Sequence, residues 1–327
     1  MSVTVSSQDV SAAARRLAGH AVLTPLLQSP ALNERCGATV LLKPENLQIA
    51  GAFKFRGAYN RLVQLNEAER ARGVVAWSSG NHAQGVAAAA QRLGVRALIV
   101  MPSDAPAIKI ENTRRFGAEV VTYDRRRESR EEIGRRIALE RGAVIVPPYD
   151  DPDIIAGQGT LALEMAEQAR AIYGRTLDVL LAPCSGGGLI AGCALALKSV
   201  TPEARIYSVE PQAFDDTARS LASGRRETVS GGGSICDALQ VATPGEITFE
   251  INRRLLAGGL TVTDDMALEA MRFAFRELKL VLEPSGAAAL AGVLSGDLDS
   301  AGKTVGVVLS GGNVDAELYR RALAQSP

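Results

Sequence analysis

The chain has 327 residues, and its 36 Lys+Arg are matched by 36 Asp+Glu, so its formal net charge is zero. That balance gives nucleic acid no electrostatic footing, and no stretch reaches the roughly 18 apolar residues of a membrane-spanning helix. At about 150 residues per domain the length corresponds to about two domains, enough to bury a core without staples. Cys36, Cys184, Cys193 and Cys236 are far apart, lack C-x-x-C spacing and read as reduced, buried thiols. Hydrophobic residues make up 46% and aromatics only 4%, with abundant Ala and Gly, which suits the close helix-on-sheet packing of an α/β enzyme. The start of the chain lacks a basic segment followed by an apolar one, so a cytoplasmic protein is expected.

In chain order, the first 66 residues hold a helix, the strand TVLLK and a second helix. Strands are expected at 73–77 (GVVAW), 96–101 (RALIVM), 118–123 (AEVVTY) and 143–146 (AVIV), with helices near 82–93, 105–116 and 128–141 between them. The Pro-rich turn PPYDDPD at 147–153 then starts a helix carrying LALEMAEQA. Further strands follow at 178–183 (DVLLAP), 205–210 (RIYSVE) and 304–309 (TVGVVL). Continuous apolar strands alternating with helices imply parallel sheets covered on both faces. The expected division is a small domain over 67–150 and a large one built from 1–66 and 151–327.

Ligands of such sheets bind beyond the carboxyl ends of the strands, which directs attention to three loops. Ser78-Ser79-Gly80-Asn81-His82 follows GVVAW, Cys184-Ser185-Gly186-Gly187-Gly188 follows DVLLAP, and Ser310-Gly311-Gly312-Asn313 follows TVGVVL. The second loop reads as a phosphate cradle, because glycines let backbone amides approach an anion and a helix N-terminus adds partial positive charge. Dinucleotide binding competes for the same segment. Gly186, Gly188 and Ala191 fit G-x-G-x-x-A, and Glu210 ends the next strand where a ribose-binding acid stands, which keeps an NAD-dependent dehydrogenase as a remote alternative.

Lys54 lies between Phe53 and Phe55 in GAFKFRGA. An apolar setting disfavours the ammonium and lowers its pKa, as an amine needs in order to form a Schiff base with a carbonyl cofactor. The competing reading is a solvated helix lysine with its stem on an aromatic ring.

The ordered series ENLQ, FKFRGA, SSGNHAQG, SGGGLIAG, EPSGA and SGGN, spread over nearly the whole chain, resembles the threonine/serine dehydratase and serine racemase family, 3-hydroxyaspartate dehydratases included. The resemblance implies pyridoxal 5′-phosphate (PLP) as cofactor and the tryptophan synthase β-like fold (fold type II), with two open twisted mostly parallel sheets flanked by helices. It also implies that Lys54 holds PLP and moves the Cα proton, with Phe53 beside it. Ser185, Gly186, Gly187, Gly188 and Leu189 match the phosphate cup, a serine standing where the family has the first glycine. Asn81 matches the contact of the cofactor's 3-hydroxyl, Ser310 the group facing the pyridine nitrogen, and Glu283 an acid near the ring. A neutral hydroxyl at the nitrogen leaves the ring a weaker electron sink than an aspartate does, which favours rapid loss of a β-leaving group.

By the same resemblance Ser78, Ser79, Asn81 and His82 grip the substrate carboxylate. His82 alternatively is a helix N-terminal imidazole bonded to backbone. Glu210, Asp216 and the Phe214 carbonyl match a divalent-cation site suited to Mg²⁺ or another hard cation; a solvated acidic turn is the alternative. Ser79 stands where racemases and hydroxyaspartate enzymes have serine, and its hydroxyl is able to reprotonate Cα from the face opposite Lys54. Arg130 aligns with a racemase-family arginine able to pair with a second substrate carboxylate; otherwise it is a surface helix residue in a charged run. The expected activity is β-elimination from threonine, serine or 3-hydroxyaspartate to a 2-oxo acid and ammonia, with a serine or hydroxyaspartate racemase as alternative. The expected assembly is a homodimer acting on a small amino acid, without the C-terminal regulatory domain of biosynthetic threonine dehydratases.

Overall fold

The computed structural model describes residues 4–105 and 107–324. Among the described residues ten strands form two sheets: β1 (Leu27–Gln28), β2 (Thr39–Pro44), β3 (Val74–Trp77), β4 (Ala97–Pro102), β5 (Glu119–Tyr123), β6 (Val144–Ile145), β7 (Val179–Pro183), β8 (Arg205–Pro211), β9 (Gly258–Val262) and β10 (Thr304–Leu309). The larger sheet has the order β1-β2-β10-β7-β8-β9, and the smaller the order β5-β4-β3-β6. Every pairing is parallel except β1 with β2, where Leu27 faces Leu42. The fold is therefore the expected α/β arrangement of two mostly parallel sheets flanked by helices.

Both faces of the larger sheet are dry. Val40, Leu42, Val305 and Val307 point into a core shared with the helix Pro284–Leu294, while Leu41, Leu180, Ile206 and Val308 point into a second core shared with the helices Pro152–Tyr173 and Gly188–Val200. Successive strand residues thus enter opposite cores, which explains why the sequence shows unbroken apolar runs. The two helices of the second core meet at Gly159 and Gly192, where a Cβ on either would strike the other's backbone. The smaller sheet is covered likewise, by the helices Asn81–Leu93 on one face and Arg130–Arg141 on the other.

Helix starts follow their caps. Ser129 accepts from the Glu132 amide and Asp151 from the amides of Asp153 and Ile154, so these helices begin at Arg130 and Pro152. The expected helices near 105–116 and 128–141 are shorter, Ala107–Arg115 and Arg130–Arg141. Two strands lack a sequence signal, the two-residue β1 and the glycine-led β9. All four cysteines are free; Cys184, Cys193 and Cys236 are buried and Cys36 is half-buried. Among the described residues no helix is long and apolar enough to cross a membrane.

Candidate active site

The loops after β3, β7 and β10 line one cavity of about 270 Å³ between the two sheets. The β7 loop enters the helix Gly188–Val200 through Gly187, whose φ of +92° favours glycine. A Cβ on Gly186 would strike the ring of Tyr149. The Gly186 carbonyl accepts from Thr248 Oγ1 at 2.6 Å and from the Gly245 amide at 3.2 Å, and the Gly187 carbonyl accepts from Asn252 Nδ2 at 3.4 Å. In a trans peptide the N–H points opposite to the C=O. The amides that follow these carbonyls therefore turn away from the helix Glu246–Leu255 that holds them. Ser185 and Leu189 complete this wall.

Lys54 opens the helix Lys54–Val63 and its side chain lines the cavity. Its Nζ donates to the Pro148 carbonyl at 2.6 Å and lies 5.2 Å from the centre of the Phe53 ring. Among the described residues no carboxylate pairs with it, and burial lowers its pKa to about 8. The share of neutral amine near physiological pH, the form that attacks a carbonyl, is thus far larger than for a solvated lysine. The Phe53 amide donates to the Ser310 carbonyl at 3.1 Å, which joins the lysine turn to the end of β10.

Asn81 begins the helix Asn81–Leu93. Its Nδ2 donates to Glu283 Oε1 at 2.5 Å and its Oδ1 accepts from Asn313 Nδ2 at 2.8 Å. Glu283 precedes the helix Pro284–Leu294, and burial together with the charge of Asp237 pushes its pKa up to about 7. Ser78, Ser79 and Ser310 also face the cavity, Ser78 Oγ accepting from the Gly80 amide at 3.1 Å.

His82 lines the cavity, but its Nε2 donates to the Val146 carbonyl at 3.0 Å. Burial, and then the charge of Lys54, lower its pKa to about 3, so the ring is neutral. The backbone-bonded alternative describes this contact. Arg130 pairs with Glu131 at 2.8 Å, in keeping with a charged helix surface, and it also lines the cavity. Lys109 and Arg125 add two more cations to the wall, Lys109 pairing with Asp237 at 2.7 Å.

Glu210 and Asp216 lie outside this cavity. The Glu210 carboxylate accepts from the amides of Thr217 and Ala218 at 2.9 and 2.8 Å and is fully buried. Its oxygens are turned to backbone amides in the interior rather than to the cavity, which removes the support for the dinucleotide reading. Both carboxylate oxygens of Asp216 are buried without a hydrogen-bond partner, and Phe214 is buried next to them in sequence. Burial and the mutual charge push Glu210 up to about 8, and burial pushes Asp216 up to about 7. Among the described residues no three His, Cys, Asp or Glu side chains cluster as metal ligands. The donor set is two carboxylates, and the bare Asp216 oxygens fit a hard cation.

Sequence reasoning missed Tyr149 over the glycine loop, Asn313 behind Asn81, and Lys109, Arg125 and Asp237 on the cavity wall. Tyr149 lies in the PPYDDPD turn and Asn313 ends SGGN, so both stood in segments already singled out.

A loop too tight for side chains, a helix N-terminus behind it and a desolvated lysine across the cavity fit a phosphorylated aldehyde such as PLP. A family model described as pyridoxal-phosphate dependent enzyme matches residues 17–311. The L-threo-3-hydroxyaspartate ammonia-lyase of Saccharomyces cerevisiae is 44% identical over 311 residues, covering 95% of this chain and 94% of that protein. The serine racemase of Schizosaccharomyces pombe is 40% identical over 317 residues, covering 97% of each. The structure of maize serine racemase superposes with a TM-score of 0.92 at 36% identity, covering 98% of this chain and 97% of that one. With a cavity of this chemistry and likeness along nearly its whole length, the chain belongs to the pyridoxal-phosphate dependent enzyme family.

Proposed function

We propose that the protein is an ammonia-lyase that eliminates water from a 3-hydroxy amino acid, with 3-hydroxyaspartate as the preferred substrate. The single observation that carries the substrate choice is Arg130 on the cavity wall, with Lys109 and Arg125 beside it. A guanidinium pairs a carboxylate in two-pronged fashion, and hydroxyaspartate has a second carboxylate where threonine has a methyl group. The relatedness to a hydroxyaspartate ammonia-lyase supports the same choice.

Lys54, the loop from Ser185 to Leu189, Asn81 and Ser310 would hold PLP. When bound, PLP supplies the carbonyl that joins the substrate amine and a ring that takes up the electron pair left at Cα. Lys54 Nζ, whose neutral form burial makes easier to reach, accepts the Cα proton. Ser78, Ser79 and the amides at the start of the helix Asn81–Leu93 orient the substrate α-carboxylate. Arg130 holds the distal carboxylate. His82 stays neutral and fixes the helix start against Val146 rather than moving a proton. Loss of the Cα proton and the β-hydroxyl gives water and an enamine, which hydrolyses to a 2-oxo acid and ammonia. Ser79 is a second proton-bearing group in the cavity and supports racemisation as a side activity. Glu210, Asp216 and the Phe214 carbonyl bind a divalent cation away from the reaction. The protein works as a cytoplasmic homodimer, which sedimentation tests.

The test mixes purified protein separately with L-threo-3-hydroxyaspartate, L-threonine and L-serine, and follows visible absorbance, 2-oxo acid and the D-isomer. Hydroxyaspartate is expected to give the highest kcat/KM, and Arg130→Ala to raise its KM selectively. Lys54→Ala is expected to abolish turnover and the covalently held chromophore. An Arg130→Ala protein with unchanged substrate preference would overturn the substrate choice, and a fully active Lys54→Ala protein would overturn the reaction.

A further inference from the structure

An asparagine amide has two orientations of nearly equal shape, with opposite donor and acceptor ends. The contacts around Asn81 settle which one holds. Asn313 Nδ2 donates to the Ala50 carbonyl at 2.8 Å and to Asn81 Oδ1 at 2.8 Å. A carbonyl only accepts, so the end of Asn313 that meets Ala50 is its NH₂. The second hydrogen of that NH₂ then fixes the facing atom of Asn81 as the oxygen. Asn81 Nδ2 is thereby sent to Glu283 Oε1 at 2.5 Å, and one of its hydrogens is left over on the cavity wall. Turned over, Asn81 would set its oxygen against the Glu283 carboxylate and its NH₂ against the NH₂ of Asn313.

The backbone is shaped to present this anchor. Among the described residues Ala50 is one of two non-glycine residues with positive φ, at +60°, and Gly51 follows at +71°. A Cβ on Gly51 would come within 2.7 Å of Asn313 Oδ1. The Gly312 amide donates to the Gly51 carbonyl at 2.9 Å, which ties the SGGN loop to the turn before Lys54.

We propose that Asn313 is a positioning residue that sets the amide orientation of Asn81, and thereby the N–H that Asn81 offers to the oxygen on the PLP ring. The proposal rests on the reading of Asn81 as a cofactor contact. Asn313 touches neither cofactor nor substrate on this account and acts only through Asn81.

Asn313→Asp keeps the shape but puts acceptors against two acceptors, Ala50 O and Asn81 Oδ1, so Asn81 turns over. The readouts are the PLP dissociation constant and the visible band of the PLP-loaded protein, with the far-UV spectrum of the cofactor-free protein as a check on folding. Losing a charge-assisted hydrogen bond is expected to weaken PLP binding about tenfold and to shift the band. In an Asn81→Ala background the same change is expected to do nothing further. Wild-type affinity and band in N313D would overturn the proposal, as would an equal loss in the Asn81→Ala background, which would mark a general structural role. If N313D does not fold, Asn313→Ala is used with the same double-variant comparison and the same two overturning results. A wild-type protein that takes up no PLP would instead sink the underlying cofactor reading, a result distinct from either.

Discussion

Two buried groups of charges flank the large sheet, and they differ in whether they neutralise themselves. Around Arg56, every charge has an opposite. Arg56 forks onto Glu45 at 2.7 and 2.8 Å and onto Glu164 at 2.7 and 2.8 Å, while Lys43 donates to Glu164, the Thr24 carbonyl and Gln168. Burial alone raises the Glu45 pKa, and the Arg56 guanidinium, joined by Lys43 and the Thr24 hydroxyl, more than offsets it, so the carboxylate ends below its usual range. Around Glu210 and Asp216 two acids lie together, Asp216 has bare oxygens, and both pKa values rise to about 8 and 7. A closed set of charges fixes structure by itself. An open pair of acids is incomplete, and under our proposal a cation completes it.

The largest expected effect breaks the closed set. Arg56→Met leaves the Glu45 carboxylate buried without its partner and is expected to cost about 3–5 kcal/mol of unfolding free energy, read by urea denaturation. The open pair gives the next effect. Adding Mg²⁺ or Ca²⁺ to cation-stripped protein at about 100 times its dissociation constant is expected to add about 2.7 kcal/mol, read as a raised Tm. Asp216→Asn removes that increment; a rise of equal size in the variant would remove the site.

His82 offers a third case, a buried base kept neutral. Its folded pKa of about 3 lies below the ordinary 6.5, so the unfolded chain binds the extra proton first as the pH drops. The stability it contributes is complete above pH 6.5 and is lost as the pH falls toward 3. The slope of unfolding free energy against pH in that window is expected to be shallower in His82→Asn than in the parent. The smallest effect belongs to an exposed pair. Arg141→Ala, which removes the bridge to Glu119 at 2.7 Å, is expected to change stability by under about 1 kcal/mol, less still in high salt.

What the sequence showed and what it hid divide along the range of the interactions. Strand, glycine loop and helix start are written in consecutive residues, so the three loops and most strands were legible from local pattern. β9 was not, because Gly258 and Gly259 read as loop. A Cβ on Gly259 would lie 2.8 Å from the Ala218 side chain, so close packing demands a residue that weakens the strand signal. Asn313 and Asn81 are 232 positions apart, and only the fold brings them together. Arg56 lies within the quoted FKFRGA motif, yet its role depends on Glu164 in a distant helix. For His82 and Arg130 the residue type left two roles open; geometry shows the backbone contact of His82, while Arg130 pairs with Glu131 and lines the cavity.

The cysteines bear on how the molecule can be watched. Burial raises the pKa of all four thiols, that of Cys236 to about 12, so few are thiolates while the chain is folded. An alkylating reagent therefore finds little to attack until packing opens. The rate at which the thiols become blocked then times the openings of the native protein, and the order in which Cys36, Cys184, Cys193 and Cys236 are labelled ranks its parts by how often each comes apart.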